Sequence, residues 1–296
     1  MPRLAALALT LAAAFLPAQQ PAPSSLALNG IAHVAIRVHD LPATQAFYEK
    51  LGFEHAFELK NKQNVVYETF IKLNDRQFLE LYSPTDKTPQ PGFLHLCFEG
   101  ADLNALHDSY VARGLTPIAV RKAGAGNLLF TLPGPLQPIG PAQPNGGPDQ
   151  PIPQNIEYTQ YMPNSLHTND IGKDLGPARI ADRMTSVALA MVDPAAARAF
   201  YLDQLHFLPI RNSNTFLALP GDSGQTIEIV PAALGLKAHL TLQTADLKQA
   251  AKRLKQQHLV AKRSPHTLTL TDPDGNLVLI QDTLATARDP TGPTNL

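Results

Sequence analysis

Four residues in this chain have side chains that could do chemistry together: His33, Glu80, His95 and Glu157. Each sits in a short run that reads as a strand. Around His33, Ala32, Val34, Ile36 and Val38 fall on one face and Ile31, His33, Ala35 and Arg37 on the other. Glu80 lies between Leu79 and Leu81, His95 between Leu94 and Leu96, and Glu157 between Ile156 and Tyr158. Two imidazoles and two carboxylates form an N/O donor set suited to a divalent first-row metal such as iron, manganese, nickel or zinc. Four protein ligands on a six-coordinate ion leave positions for water or substrate. The spacing matches no compact zinc-type motif, and a single buried histidine is more often a hydrogen-bonded core residue, so the fold must bring the four together.

The elements that would position them follow a pattern. After a Pro/Ser-rich spacer, a strand runs to Val38. Asp40 is placed to cap a helix, with Pro42 in its first turn, Ala43, Ala46, Phe47 and Leu51 along one face, and Gly52 at its stop. That helix can cover the Val34 and Ile36 face, which leaves the His33 face open. Strands near 54–59, 65–73 and 77–82 complete a β-α-β-β-β unit. The unit recurs with a strand at 93–98, a helix capped by Asp102 and packed through Leu103, Leu106, Tyr110 and Val111, and strands near 117–120, 127–132 and 155–161. Two such units side by side would curl around one cleft. The Pro- and Gly-rich stretch 133–154 excludes regular structure and reads as an extended loop, either a solvated insertion or a flap over the cleft.

The same signature then returns. Beyond a connection around 162–182, SVALAMVDPAAARAFYLDQLHF from Ser186 to Phe207 mirrors His33 to Phe53. Asp193 and Phe200-Tyr201 match Asp40 and Phe47-Tyr48, with one extra residue after the tyrosine. GQTIEIVP, HLTLQTADL and TDPDGNLVLIQD follow, with a helix from Asp246. Aligning the copies sets Ser186 opposite His33, Glu228 opposite Glu80, His239 opposite His95 and Leu279 opposite Glu157. The second copy thus keeps two of the four donors, and a Glu228–His239 hydrogen bond is expected there in place of a metal. Because the scaffold tolerates Ser186 and Leu279, His33 and Glu157 are not required merely to make the fold.

The run HVAIRVHDLPATQAFYEKLGF resembles the opening strand and helix of the vicinal oxygen chelate superfamily, which contains glyoxalase I, extradiol ring-cleaving dioxygenases and bleomycin-binding proteins. FLELYSP, HLCFEGADL and NIEYTQYMP resemble its fourth, fifth and eighth strands. The resemblance implies an α+β fold of two tandem domains, 28–162 and 183–284, each of paired β-α-β-β-β units whose curled mixed sheets form a cleft. A linker at 163–182 and a tail at 285–296 complete the expected layout. It also implies that His33, Glu80, His95 and Glu157 are metal ligands and that Glu157 can loosen and act as general base, in a glyoxalase-like isomerase or lyase. An extradiol dioxygenase would need only the facial triad His33, His95 and Glu157 on ferrous iron, and Glu80 counts against it. A metal-free sequestration protein would need no ligand set at all.

Whole-chain properties bound the rest. At 44% hydrophobic and 17% charged residues the chain is globular. With a net charge of −1 and no basic cluster standing out, the expected partner is a small-molecule substrate rather than nucleic acid or a membrane surface. Residues 1–27 read as a secretory signal and spacer: Arg3, an apolar run from Leu4 to Leu16 and a small-residue site near Ala18. Periplasmic or secreted location is expected, which argues against a glutathione-derived substrate and leaves small carbonyl, hydroxy-acid or phenolic compounds. Cys97 is the only cysteine, on the His95 face, either a shielded thiol or a soft metal ligand. His39, His55 and His167 are expected to be solvated surface residues. A tandem chain can form internally the pairing that single domains achieve by dimerising, so a monomer or a homodimer is expected.

Overall fold

A computed structural model describes residues 27–86, 90–138, 151–232 and 238–283. The expected signal segment and the tail beyond 284 lie outside the described residues. The N-terminal domain contains β1 (Leu28–Arg37), α1 (Leu41–Lys50), β2 (Glu54–Lys60), β3 (Val66–Asn74), β4 (Gln77–Tyr82), β5 (Gly92–Gly100), α2 (Leu103–Ala112), β6 (Arg121–Lys122), β7 (Leu128–Gln137) and β8 (Ile152–Gln160). A short helix α3 (Leu166–Asn169) lies in the connection. The C-terminal domain follows with β9 (Arg183–Met191), α4 (Pro194–Ala199), β10 (Leu208–Pro209), β11 (Phe216–Ala218), β12 (Thr226–Pro231), β13 (His239–Thr244), α5 (Leu247–Gln256), β14 (Lys262–Arg263), β15 (Thr267–Thr271) and β16 (Leu277–Asp282). Among the described residues no helix is long and apolar enough to cross a membrane.

Each domain is one open eight-stranded sheet, in the orders β2-β3-β4-β1-β5-β8-β7-β6 and β10-β11-β12-β9-β13-β16-β15-β14. The two β-α-β-β-β units of a domain meet where β1 runs antiparallel to β5, and β9 to β13. Four aspartates start the main helices: Asp40, Asp102, Asp193 and Asp246 each accept hydrogen bonds from backbone N–H groups two or three residues on. Each such cap contributes about 1 kcal/mol. The faces of the strands that carry Val34, Ile36, Leu79, Leu81, Leu96, Phe98 and Ile156 are fully buried, in one apolar core shared with Val187, Leu189 and Ile229 of the second domain.

Polar side chains pin the two domains together inside that core. Gln77 donates to Ile31 O and Met184 O and accepts from Met184 N, while Gln225 accepts from Ile31 N and donates to Met184 O. The tyrosines of the repeated signature cross over in the same way. Tyr48 donates to Asp272 in the second domain, and Tyr201 donates to Gln154 in the first.

The structure departs from the sequence pattern at several places, each for a local reason. The strand expected at 117–120 is absent, and pairing is confined to Arg121–Lys122. Pro117 has no N–H to give, and only Ile118 N reaches Thr131 O. Conversely β7 runs on through Pro133 and Pro135 to Gln137, where extended loop was expected, because the antiparallel β6 starts only at Arg121 and does not pair with β7 beyond Leu129. The remainder of the Pro-rich stretch, 139–150, lies outside the described residues. Val111, expected on the buried face of α2, is 50% exposed. The residue inserted after Tyr201 is absorbed by a π-helical turn over Phe200–Gln204, in which Leu205 N reaches Phe200 O. Finally, Lys248, Lys252, Lys255, Lys262 and Arg263 are all exposed on α5 and β14, a concentration of positive charge that the near-zero net charge conceals.

Candidate metal centre

The register of the central strands brings the four donors to one point on the concave face. Ala35 on β1 lies between Glu80 on β4 and His95 on β5, and its methyl leaves the space between them open. One step back, His33 pairs with Phe78 on one side and Cys97 on the other, and Cys97 pairs in turn with Glu157 on β8. All four donors are buried, at 2% exposure for His33, 4% for Glu80 and 8% for His95 and Glu157.

His33 Nε2 lies 3.1 Å from His95 Nε2 and 3.4 Å from Glu157 Oε1. His95 Nε2 is 3.9 Å from Glu157 Oε2 and 3.7 Å from Glu80 Oε2. Two ligands bonded at about 2.1 Å and spread by 90–110° would stand about 3.0–3.4 Å apart, and opposite ones about 4.2 Å, so these separations fit donors around a common ion. Glu80 has a second contact: its Oε1 is 3.0 Å from His33 Nδ1, on the other edge of that ring. Although close, the pair is misaligned for a hydrogen bond, so the buried His33 Nδ1 has no hydrogen-bond partner. Two overlapping sets, His33 with Glu80 and His95 and His33 with Cys97 and Glu157, each bring their donor atoms within 4.8 Å of one another, and the donor chemistry fits a divalent ion. Cys97 Sγ stands within 4.8 Å of donor atoms of His33 and Glu157, so the thiol is part of the cluster's wall.

Burial would push both ligand carboxyls up, but their neighbours separate them. Glu157 meets His95 and His33 and takes hydrogen bonds from His33 and Cys97, which outweigh burial and hold it down at about 2. Burial and the nearby Glu157 charge outweigh the attraction of His33 at Glu80, which rises to about 7. Two residues not foreseen from the sequence complete this end of the site. Tyr82 donates to Glu80 Oε2 at 3.4 Å, and the Glu68 carboxyl interacts with both Tyr82 and Glu80. Burial and the Glu80 charge push Glu68 up to about 9, so it carries a proton at neutral pH. The sequence shows only that Glu68 shares a strand face with Phe70; the ladder, pairing Phe70 with Glu80 and Glu68 with Tyr82, brings it to the site.

The second domain repeats the frame with two of the four donors. Ala188 lies between Glu228 and His239, and Ser186 and Leu279 occupy the positions of His33 and Glu157. His239 Nε2 and Glu228 Oε2 are 3.8 Å apart, longer than the hydrogen bond expected between them. Ser186 instead receives a hydrogen bond from Thr226 at 2.9 Å.

Of the three histidines expected at the surface, His39 is exposed, though its ring and backbone bond Asp274, and His55 is half-buried. His167 contradicts the expectation: it is 2% exposed. The connection holding it is not a loose linker, because the fully buried Lys72 ammonium ties it down through Asp170 O, the Asp170 carboxylate and Lys173 O.

Residues 32–131 match the family model described as the Glyoxalase/Bleomycin resistance protein/Dioxygenase superfamily. That match covers about a third of the chain, the greater part of the N-terminal domain, which is thus similar to the vicinal oxygen chelate superfamily. The two domains share one sheet topology, and this fold recurs along most of the chain in solved structures. The Mn(II)-bound glyoxalase from Novosphingobium aromaticivorans superposes with a TM-score of 0.62 at 17% identity, over 86% of this chain and 82% of that one. An extradiol ring-cleaving dioxygenase from B. fuscum gives a TM-score of 0.58 at 17% identity, over 88% and 74%. The 2,3-dioxygenase LapB from Pseudomonas sp. KL28 gives 0.55 at 15% identity, over 88% and 93%. No curated protein matches the chain by sequence.

Proposed function

We propose that the protein is a divalent-metal-dependent enzyme of the glyoxalase-like, isomerase or lyase type, acting on a small substrate with two adjacent oxygens. The observation that carries this reading is the approach of His33 and His95 to each other and to the Glu157 carboxylate, and of His95 to Glu80, at 3.1–3.9 Å on a buried concave face. A metal held there supplies Lewis acidity to the two oxygens. The chain's own residues do the rest. Phe78 beside His33 and the buried Cys97 keep bulk water from the site. Tyr82 and Glu68 hold the Glu80 carboxylate from behind. Glu157 takes the substrate proton in this scheme, and Glu80, with the higher proton affinity of the two, is its competitor for that role.

A second reading, the extradiol-type ring-cleaving dioxygenase using Fe(II), draws support from one contact. Glu80 faces His33 through Nδ1, the edge away from His95 and Glu157, as an outer partner of a three-ligand site would. The experiment is metal analysis after dialysis of the unaltered protein and the E80Q, E157Q, H95A and H239A variants, followed by turnover of the metal-retaining ones. Under the first reading one ion per chain is retained by H239A, is lost from H95A and is weakened in E80Q. Full retention by E80Q, with oxygen uptake on catechols under Fe(II), would favour the dioxygenase. Equal retention by H95A and the unaltered protein would refute both. Export to the periplasm or medium is part of the same proposal, resting on Arg3 and the apolar run Leu4 to Leu16. Cell fractionation with mass measurement of the mature N-terminus tests it.

A further inference from the structure

The concave face that carries the donors continues into an apolar end. Phe78 precedes Glu80 by two residues on β4, Phe70 pairs with Glu80 and with Phe57, and Tyr161 lies four residues past Glu157. His167 is set among these rings. Its centroid is 5.0 Å from Phe57, 5.4 Å from Phe70 and 5.0 Å from Phe78, all near perpendicular, and it stacks on Tyr161 at 4.4 Å and 19°. Neither ring nitrogen has a hydrogen-bond partner, although both are buried. Phe78, which meets the His167 ring edge-on, is the ladder neighbour of His33, so the ring lies against the same concave face as the donors.

The position is imposed from outside the ring. Ser165 caps α3, Leu166 N bonds Ala125 O at 2.8 Å, and Lys72 anchors Asp170 and Lys173 just beyond. A side chain needed only to fill this space would be Leu or Phe, because partnerless imidazole nitrogens in an apolar box are destabilising. We propose that His167 is a substrate-contacting residue: the box is the apolar end of the cleft, and the imidazole meets a polar atom on the far side of a flat substrate. This deepens the metal-site reading and rests on it. The substrate class is a largely apolar, planar compound with an adjacent oxygen pair at one end and a further hydrogen-bonding group at the other. Phe57 and Tyr161 are only partly buried, so these two rings form the accessible wall of the box.

The test uses Mn(II)-loaded full chain and two bidentate oxygen ligands, oxalate, which has no ring, and 4-nitrocatechol, whose polar substituent lies across a flat ring from its oxygens. Titration calorimetry and the visible absorbance of the catechol read binding in the unaltered protein, His167→Leu and His167→Gln. Both variants are expected to keep Mn(II) stoichiometry and oxalate affinity. Affinity for 4-nitrocatechol should fall about ten-fold in His167→Leu and partly recover in His167→Gln. Without metal, His167→Leu should melt at a higher temperature than the unaltered protein. Parallel loss of both ligands in both variants, with a lower melting temperature, would make His167 a structural residue and overturn the inference. Unchanged 4-nitrocatechol affinity in both would also overturn it, while leaving the metal site standing. Absence of Mn(II) binding by the unaltered protein would instead overturn the metal reading, and this inference with it.

Discussion

The C-terminal domain offers a quantitative test of its lost site. Glu228 keeps the place of Glu80, 6% exposed, but without the histidine and second glutamate that surround Glu80. Burial alone lifts its carboxyl from 4.5 to about 7. A folded-state pKa above the unfolded one means that the native protein binds the proton more tightly. Stability is therefore unaffected below about pH 4, falls as pH rises through the window from 4.5 to about 7, and stays reduced above it. The separation of the two values corresponds to about 3 kcal/mol. Glu228→Gln removes the ionisation while keeping shape and hydrogen-bonding capacity. It should be more stable than the unaltered protein by about 3 kcal/mol at pH 8 and by almost nothing at pH 4. Urea unfolding of both proteins at half-unit pH steps measures this difference directly, because every other titrating group is common to the two. A difference that does not vary with pH, or a variant less stable at pH 8, would refute the reasoning and mean that Glu228 is held charged by a partner in the fold.

Two further perturbations test how the domains are joined. Gly52 has φ of +88°, and a Cβ there would stand 2.5 Å from Ala178 O and 2.7 Å from Arg179 Cα, so Gly52→Ala should lower stability by at least about 2 kcal/mol in thermal unfolding. A loss no larger than that of a surface substitution would show that the connection does not press on the end of α1 as described. Gln77→Leu removes three buried hydrogen bonds to Ile31 and Met184 and should cost about 3 kcal/mol in urea unfolding while leaving metal stoichiometry unchanged. Loss of metal together with stability would tie the glutamine to the site as well as to the interface.

The frame of the protein was legible because its signals are local and repeated. Asp40, Asp102, Asp193 and Asp246 mark helix starts within a few residues of the apolar pattern they precede, and all four cap as expected. The two copies also align without ambiguity, since Ala35 and Ala188 take the same place between a glutamate and a histidine. What escaped the pattern depends on contacts between residues distant in the chain. His167 sits in a polar-looking connection, and nothing near it in sequence reveals that Lys72 will pull that segment onto the sheet. Glu68 reads as one charge in a strand until the ladder sets it beside Tyr82. Edge position likewise decided that Pro133 and Pro135 belong to a strand, a fact fixed by how far β6 extends and not by the prolines themselves.

The repeat carries a further lesson about which residues serve the fold and which serve a site. Gln77 and Gln225 each stand three residues before the glutamate of their copy, and both bridge the domains from within the core. Tyr48 and Tyr201 behave alike, each reaching into the opposite domain. These glutamines and tyrosines keep their residue in both copies because each copy uses them to join the two halves. His33 and Glu157 face the same scaffold as Ser186 and Leu279, yet differ from them in kind. The sheet needs neither a histidine nor a glutamate at those points to close its core. Their presence in one copy only, pointing into a cleft rather than across the interface, is what an asymmetric function grafted on a symmetric frame requires.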